Sequence, residues 1–153
     1  MTNDFNIAKQ LITEKGEITG VTSGDSMKPL FRSQKDSAVI VAITRPLTVN
    51  DVILYRKPTT NELILHRIIK INGEKLVIRG DNLYRNENNI PQDDIIGVLK
   101  AFYRGGKYFE CESTVWYKLY VFYIRASYPL RYTFVKGFRL LKRILRKIKN
   151  IFA

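Results

Sequence analysis

The sequence predicts a mainly β protein, with a short helix before the strands and amphipathic helices after them. About six short apolar runs lie between positions 38 and 111, and turn-forming residues separate them. Two of these runs are joined by Asn72-Gly73, the strongest short-range signal for a β-hairpin. From Thr114 onward the apolar residues instead recur at spacings of three and four, which is the period of a helix.

The N-terminal segment has the pattern of a short amphipathic helix. Its apolar residues recur at helical spacing, so we predict a helix over residues 4–14 that ends at Lys15-Gly16. These apolar residues are Phe5, Ala8, Leu11 and Ile12. Charged residues at positions 4, 9, 14, 15 and 17 interrupt the segment too often for the core of a signal peptide or for a membrane span.

The strands that follow are predicted from the apolar runs and from the turns between them. The runs lie at residues 38–43, 51–55, 63–71, 75–79, 95–103 and 107–111. Asn72-Gly73-Glu74 joins the third run to the fourth, and Gly105-Gly106 joins the fifth to the sixth, so we predict two hairpins. Short strands in this number, with no helical pattern between them, are typical of an all-β body.

Charge divides the chain into two parts. The 153 residues include 26 Lys and Arg against 14 Asp and Glu, a net charge of +12. All 14 acidic residues lie in residues 1–112, whereas residues 113–153 hold ten basic residues and no acidic one. We therefore predict a β-domain over residues 1–112 and a basic amphipathic helical extension over residues 113–153. The single cysteine, Cys111, excludes an internal disulfide bond and fits a buried strand thiol.

The last segment has the pattern of a cationic amphipathic helix. Pro129 is expected to split the helical region that begins at Thr114. We expect residues 134–152 to lie on an anionic membrane surface, with apolar residues in the acyl boundary and basic residues at the headgroups. The apolar stripe consists of Phe134, Phe138, Leu141, Leu145, Ile148 and Phe152.

Two other interpretations of residues 134–152 stay open. The segment also fits a core helix with a solvated basic side, and clustered basic residues attract nucleic acid. The large, continuous apolar positions argue against nucleic acid, as does the lack of a helix-turn-helix pattern before the strands.

Three residues have the types of a Ser–His–Asp set, in which a base takes the proton of a serine hydroxyl and an acid orients the base. Ser26 lies in SGDSMKPLF, residues 23–31. His66, the only histidine, lies in a predicted strand and is mostly neutral at pH 7 if its pKa is ordinary. In the hairpin over residues 63–79, the end of the second strand lies beside the start of the first strand. We therefore expect Asp81 near His66. Each residue also has an ordinary structural explanation. Ser26 and Asp81 fit turn residues, and His66 fits a packed strand residue.

Four short segments stand in a set order along the chain. They are Gly24-Asp25-Ser26-Met27-Lys28-Pro29, then Asn50-Asp51-Val52-Ile53-Leu54, then His66-Arg67, and finally Arg79-Gly80-Asp81-Asn82. In this order they resemble the signal peptidase and SOS-repressor superfamily of serine peptidases, whose members carry Ser-Met-x-Pro, Gly-Asp and three apolar residues, a base followed by Arg, and Lys-Gly-Asp-Asn. Because the base is histidine rather than lysine, the chain is most similar to the endoplasmic-reticulum-type signal peptidases. The segments lie within residues 20–100, about half of the chain.

This resemblance implies a signal-peptidase-like β-ribbon or partly closed barrel that cleaves peptide bonds without a metal or a cofactor. It implies that Ser26 is the nucleophile, His66 the general base and Asp81 the acid, and that the backbone N–H of Ser26 serves the oxyanion hole. In eukaryotic members the acid can lie about six residues beyond the Gly-Asp-Asn segment, which is near Glu87 here. The third residue is therefore open between Asp81 and Glu87.

Two features depart from the family pattern. Gly24 stands two residues before the serine, where several members have a hydroxyl residue, so a side-chain oxyanion donor is absent there. We also expect no N-terminal membrane anchor of the kind usual in the family. We therefore expect a cytoplasmic, peripherally membrane-associated protein, with an integral anchor as the alternative.

We expect from these residues a serine endopeptidase of the signal-peptidase type, which removes a signal or leader peptide from a precursor. The resemblance implies small residues just before the cut, and a leader peptide on a ribosomally made natural product would suit a cytoplasmic enzyme. Two other functions stay open. One is a catalytically inactive β-domain that binds peptide or membrane, and the other is a self-cleaving regulator like the repressors, against which the histidine base argues. The sequence indicates no oligomeric state.

Overall fold

The structure is a computed structural model that describes residues 3–151, with side chains for residues 4–138 and 141–143. It is mainly β with a helix at each end, as the sequence predicts. The elements in chain order are α1 (Asn3–Lys15), β1 (Glu17–Val21), β2 (Asp36–Val41), β3 (Val52–Arg56), β4 (Leu63–Asn72), β5 (Lys75–Arg79), β6 (Glu87–Pro91), β7 (Ile95–Arg104), β8 (Lys107–Glu110) and α2 (Val115–Ile151).

The strands form one antiparallel sheet. Its order is β1-β2-β7-β3-β4-β5-β6, and β8 pairs with β7. The predicted hairpins correspond to β4–β5 and β7–β8. The path ends at β1 on one side and at β6 on the other, so the described strands form a sheet that is not closed into a barrel.

The sheet is held by an apolar core on the face that also carries the candidate histidine. The fully buried cluster consists of Ile53, Tyr55, Ile68, Leu76, Ile78, Ile90 and Ile95. Helix α1 buries Phe5, Ala8 and Ile12. A side chain at Gly97 would come within 3.1 Å of Ile12, so the missing side chain lets α1 pack closely on β7. Removing one of these large apolar side chains costs about 2–5 kcal/mol of stability.

The β4–β5 hairpin contains a β-bulge. Near its turn Lys70 pairs with Val77, but farther along Ile68 pairs with Ile78, so Ile69 is the extra residue. A bulge of one residue shifts the register by one. Beyond it, each side chain of β4 faces a partner one position away from the one that regular pairing predicts.

Two strands lie outside the predicted runs. They are β1 and β6, the two ends of the sheet, and each pairs with one neighbour only. Strand β1 is mostly exposed, and β6 reads Glu-Asn-Asn-Ile-Pro with a single buried residue, Ile90. Edge strands of this kind have no continuous apolar face, so hydrophobic periodicity does not reveal them.

The chain divides into two compact units, Met1–Lys118 and Leu119–Ala153. The first contains α1, the sheet and the first turn of α2, and the second contains the rest of α2. Among the described residues no helix has a stretch long and apolar enough to span a membrane.

Helix α2 runs through Pro129, so the predicted split at this residue is wrong. A proline inside a helix removes one hydrogen bond and costs about 3 kcal/mol, but the turns on both sides keep theirs. Of the predicted apolar stripe, Leu145 and Ile148 lie outside the described side chains, and Phe152 lies outside the described residues.

Candidate active site

Ser26 lies in the turn region between β1 and β2, and apolar residues anchor this region. Met27, Leu30 and Phe31 follow the serine and are all buried. The backbone N–H of Asn82 donates a 2.8 Å hydrogen bond to the Ser26 carbonyl, and the Asn82 side chain donates to the Asp25 carbonyl at 3.1 Å. The Gly-Asp-Asn segment after β5 therefore holds the serine turn from the side.

A buried carboxylate fixes the far end of the same turn. Asp36 has no exposed side-chain surface and accepts hydrogen bonds from the backbone and guanidinium of Arg32 and from the guanidinium of Arg104. Arg104 also donates to the Leu30 carbonyl. Burial opposes the ionisation of Asp36, but the hydrogen bonds from Arg32 and Arg104 outweigh it and hold its pKa below the ordinary value.

His66 lies in β4 and is 3% exposed, with one ring nitrogen on a carboxylate. Its Nδ1 lies 2.8 Å from Oε1 of Glu87. Glu87 is the first residue of β6. The Tyr55 hydroxyl donates a 2.9 Å hydrogen bond to Glu87 Oε2 and lies 3.4 Å from His66 Nδ1. With the proton on Nδ1, the imidazole donates to Glu87, and Tyr55 holds the other carboxylate oxygen.

The second ring nitrogen of His66 lies near Ser26. A Cβ atom placed on Gly80 would lie 3.0 Å from His66 Nε2 and 3.0 Å from Ser26 Cβ, so these two atoms are no farther apart than twice that distance. The same Cβ would lie 2.6 Å from the Ser26 carbonyl oxygen. Because Gly80 has no side chain, Ser26 and His66 can both lie close to the backbone that follows β5.

His66 Nε2 is buried and makes no hydrogen bond with the described residues. A buried polar atom without a hydrogen-bond partner is uncommon in proteins, and some such atoms have a catalytic role. Burial lowers the pKa of His66 below its ordinary value, and the charge of Glu87 offsets only part of this effect. The imidazole is therefore neutral at pH 7, the form that accepts a proton.

The Asp81 carboxylate is paired with Arg67. It binds the guanidinium of Arg67 in a two-pronged pair, with N–O distances of 2.8 and 2.6 Å, and both side chains are buried. The bulge in β4 gives the reason. Because Arg67 pairs with Arg79, residues 67, 79 and 81 share one face of the strands, whereas His66 and Gly80 share the other.

Arg67 connects this pair to the surrounding chain. It donates to the Asn50 carbonyl at 2.8 Å and to the Tyr117 hydroxyl at 3.3 Å. Burial opposes its charge, but the hydrogen bonds from Arg67 to Asp81 outweigh burial and raise the pKa of the guanidinium. Loss of one partner of such a buried pair leaves the other charge uncompensated, so the pair has a structural role.

The structure thus brings together Ser26, His66 and Glu87, and it pairs the third candidate, Asp81, with Arg67 instead. Sequence reasoning missed two neighbours of the site, Tyr55 and Gly80. Tyr55 lies two residues after Ile53, which pairs with His66, so strand alternation places both on the histidine's face. That signal depends on knowing the β3–β4 register.

A groove of about 910 Å³ reaches Ser26. The exposed strand β1 and the segment Leu63–Leu65 of β4 line it, and in the described sheet β1 pairs only with β2, and Leu63–Leu65 only with β3. The groove therefore lies against two strand segments with unpaired backbone groups, to which an extended peptide can hydrogen-bond. Its apolar lining includes Ile18, Met27, Phe31, Ile40, Leu54 and Leu65.

Gly24 has a backbone geometry that explains the absence of a hydroxyl residue there. Its φ is +81°, a value that residues with side chains rarely adopt. Its N–H donates a 3.0 Å hydrogen bond to the Ser33 hydroxyl. A serine at position 24 would be strained in this turn.

Comparison with known proteins leaves the resemblance of the four segments untested. No protein-family model matches the chain, and no curated protein matches it. The family assignment stays a prediction that rests on the quoted segments.

Proposed function

We propose that this protein is a serine endopeptidase of the signal-peptidase type. One observation carries the proposal: a buried imidazole has one nitrogen on the Glu87 carboxylate, and its other nitrogen lies near Ser26 without a hydrogen-bond partner among the described residues. A purely structural histidine is expected to satisfy both nitrogens when it is buried.

In the proposed reaction Ser26 Oγ attacks the carbonyl carbon of the scissile peptide bond while its proton passes to His66 Nε2. The tetrahedral intermediate collapses, the C–N bond breaks, and His66 returns the proton to the leaving amine. A water molecule then attacks the Ser26 ester with His66 again as base, which releases the acid product and restores the serine.

Glu87 is the acid of the set in this proposal, in place of Asp81. Its contact with Nδ1 fixes the tautomer that leaves Nε2 as the acceptor, and its negative charge stabilises the imidazolium that forms. Tyr55 is a positioning residue because it holds the second oxygen of Glu87. The backbone N–H of Ser26 is the proposed oxyanion donor.

The substrate we propose is an extended segment of a precursor, such as a signal or leader peptide. The groove beside Ser26 supports this class because backbone groups of β1 and β4 can pair with an extended chain, and the apolar lining accepts side chains. The family resemblance adds an expectation of small residues just before the cut.

The test is incubation of the full chain with a proteome-derived peptide library, followed by mass spectrometry of the new termini. We expect a consistent set of cleavages with the wild type and none with Ser26→Ala or His66→Ala. Ser113→Ala, which removes an exposed serine hydroxyl outside the groove, is the matched control and should cleave as the wild type does.

Each other outcome points to a different function. Equal cleavage by the wild type, Ser26→Ala and His66→Ala overturns the mechanism. Peptides that bind without any cleavage favour the inactive peptide-binding domain. Cleavage confined to the chain itself, seen as a loss of its intact mass, favours the self-cleaving regulator.

A further inference from the structure

Helix α2 presents an exposed apolar face in its described part. Leu119, Phe122, Leu130 and Phe134 are 63%, 72%, 76% and 77% exposed, values that large apolar side chains on a soluble surface reach singly but not in a row. Tyr123 and Leu141 are also more than half exposed. We call these six residues the exposed apolar face.

These residues lie on one side of the helix. At 100° per residue they fall within an arc of about 120°, which extends over residues 119–141 and about 35 Å of helix, and Phe138, which is 52% exposed, lies about 40° beyond one edge of the arc. The face thus begins well before residue 134, where the sequence pattern alone places the start of the apolar stripe. Its length and continuity indicate a flat, extended apolar partner.

The basic residues of the same segment lie outside this arc. Arg125, Lys136 and Arg143 flank one side of the exposed apolar face, and Arg131 and Lys142 flank the other. Residues 113–153 contain ten basic residues and no acidic one, so this segment carries only positive side-chain charge. The partner therefore combines an apolar layer with negative charge at its edges.

We propose that residues 119–141 bind the surface of an anionic lipid bilayer, with the exposed apolar face in the acyl boundary and the flanking basic residues at the headgroups. Lipid bilayers have this combination of layers, and helices with one wide apolar face and a basic remainder lie in their interface. Tyr123 adds an aromatic ring of the kind enriched at that depth.

Nucleic acid fits the face less well. Phosphate groups would pair with the basic residues but would leave the six apolar side chains in water, since duplexes offer little apolar surface to a continuous stripe. A second copy of the chain would cover the apolar face but would bring the flanking basic residues of two helices together. These two partners become outcomes of the test.

The experiment is flotation of full-length Ser26→Ala protein with phosphatidylcholine vesicles that contain or lack phosphatidylglycerol, at low and high salt. We expect binding to the anionic vesicles, weakening with salt, and little binding to the neutral ones. Lys136→Gln and Arg143→Gln should each weaken binding about fivefold. Leu130→Gln with Phe134→Gln should weaken it more than about tenfold.

The matched control is Lys107→Gln with Tyr108→Gln in β8, which also removes one charge and one exposed aromatic ring. This variant should bind the vesicles as Ser26→Ala does. Equal binding by all variants, tighter binding to a DNA duplex than to anionic vesicles, or self-association without vesicles that Leu130→Gln with Phe134→Gln abolishes would each overturn the proposal. Because every variant carries Ser26→Ala, the result does not depend on the proposed peptidase activity.

Discussion

At the scale of single residues, the two carboxylates closest to His66 have different partners and therefore different expected roles. Glu87 lies on the imidazole and keeps a quarter of its side chain exposed, whereas Asp81 is fully buried on Arg67. A residue that orients a base affects the rate and its pH dependence. A residue that neutralises a buried charge affects the free energy of unfolding.

We predict that Glu87→Gln lowers kcat/KM by about 10²- to 10⁴-fold while the fold is kept, because an amide can stabilise the wrong tautomer and carries no charge. The acidic limb of the pH–rate profile should also move to lower pH, since burial lowers the pKa of His66 and Glu87 is the strongest of the groups that raise it. Peptide cleavage measured from pH 4 to pH 8 tests both expectations.

Asp81→Asn is the contrasting variant. It should lower the free energy of unfolding by about 3–5 kcal/mol, because the buried Arg67 loses its counter-charge. The pH–rate profile of the remaining folded protein should move less than that of Glu87→Gln, because the charge of Asp81 raises the pKa of His66 less than Glu87 does. If Asp81→Asn instead abolished the rate at unchanged stability, and Glu87→Gln had no effect, then Asp81 would be the acid.

Gly80→Ala is predicted to reduce the rate on the order of 10²-fold. Its Cβ would lie 3.0 Å from both Ser26 Cβ and His66 Nε2 and only 2.6 Å from the Ser26 carbonyl oxygen, so the serine turn must shift relative to the imidazole. Gly137→Ala, where a Cβ meets no atom within 4 Å, is the control and should cleave peptide normally. A Gly80→Ala protein with the wild-type rate would mean that the serine and the imidazole do not react together.

At the scale of elements, the strands with apolar faces could be predicted from the sequence, and the edge strands could not. The apolar runs and the Asn72-Gly73 turn gave β2–β5, β7 and β8 with small errors at their ends. Strands β1 and β6 are polar and exposed, and they become strands only because a neighbour offers its backbone. Since Glu87 begins β6, sequence periodicity alone could not bring it to His66.

The position of Asp81 was also beyond prediction from the pattern. With regular pairing from Asn72 and Lys75, His66 would stand opposite Asp81, as the sequence leads one to expect. The extra residue Ile69 shifts the pairing by one, so Gly80 stands there instead. Nothing in a run of apolar residues marks which of them is the bulged one.

A bulge in β6 is expected to hold Glu87 in place. Leu76 pairs with Ile90 and Ile78 with Glu87, so β6 has one residue more than β5 between these pairs. Asn89 within it has a φ of +60°, the left-handed region. The side chain of Asn89 is exposed, so its backbone geometry is the main constraint on substitution.

We predict that Asn89→Val lowers the free energy of unfolding by about 1–2 kcal/mol and reduces the rate of peptide cleavage, because a β-branched residue resists this φ. Asn89→Gly should leave the free energy of unfolding and the cleavage rate close to the wild-type values, since glycine adopts the left-handed region freely. Urea unfolding and the cleavage assay test the pair. Equal behaviour of the two variants would show that the bulge does not control Glu87.

At the scale of the whole molecule, acid should destabilise the protein in two separate pH windows. Asp36 and Asp51 both have lowered pKa values in the folded protein: burial opposes this, but hydrogen bonds from Arg32 to Asp36 and from Arg45 to Asp51 outweigh it. Their contribution to stability is present above about pH 4 and is lost as the pH falls through the lowered pKa. His66 acts at a higher pH.

The unfolded chain takes up a proton on His66 below pH 6.5, while the folded protein, in which burial lowers the pKa, does so only at lower pH. The free energy of unfolding should therefore decrease from pH 6.5 toward pH 5, by at most about 1.4 kcal/mol per pH unit for one proton. His66 is the only histidine, so His66→Gln should remove this first decrease and keep the one below pH 4. Urea unfolding at half-unit pH steps tests the prediction. A wild-type curve that stays flat from pH 7 to pH 5 would contradict a buried, neutral imidazole, and with it the form of His66 that the proposed reaction requires.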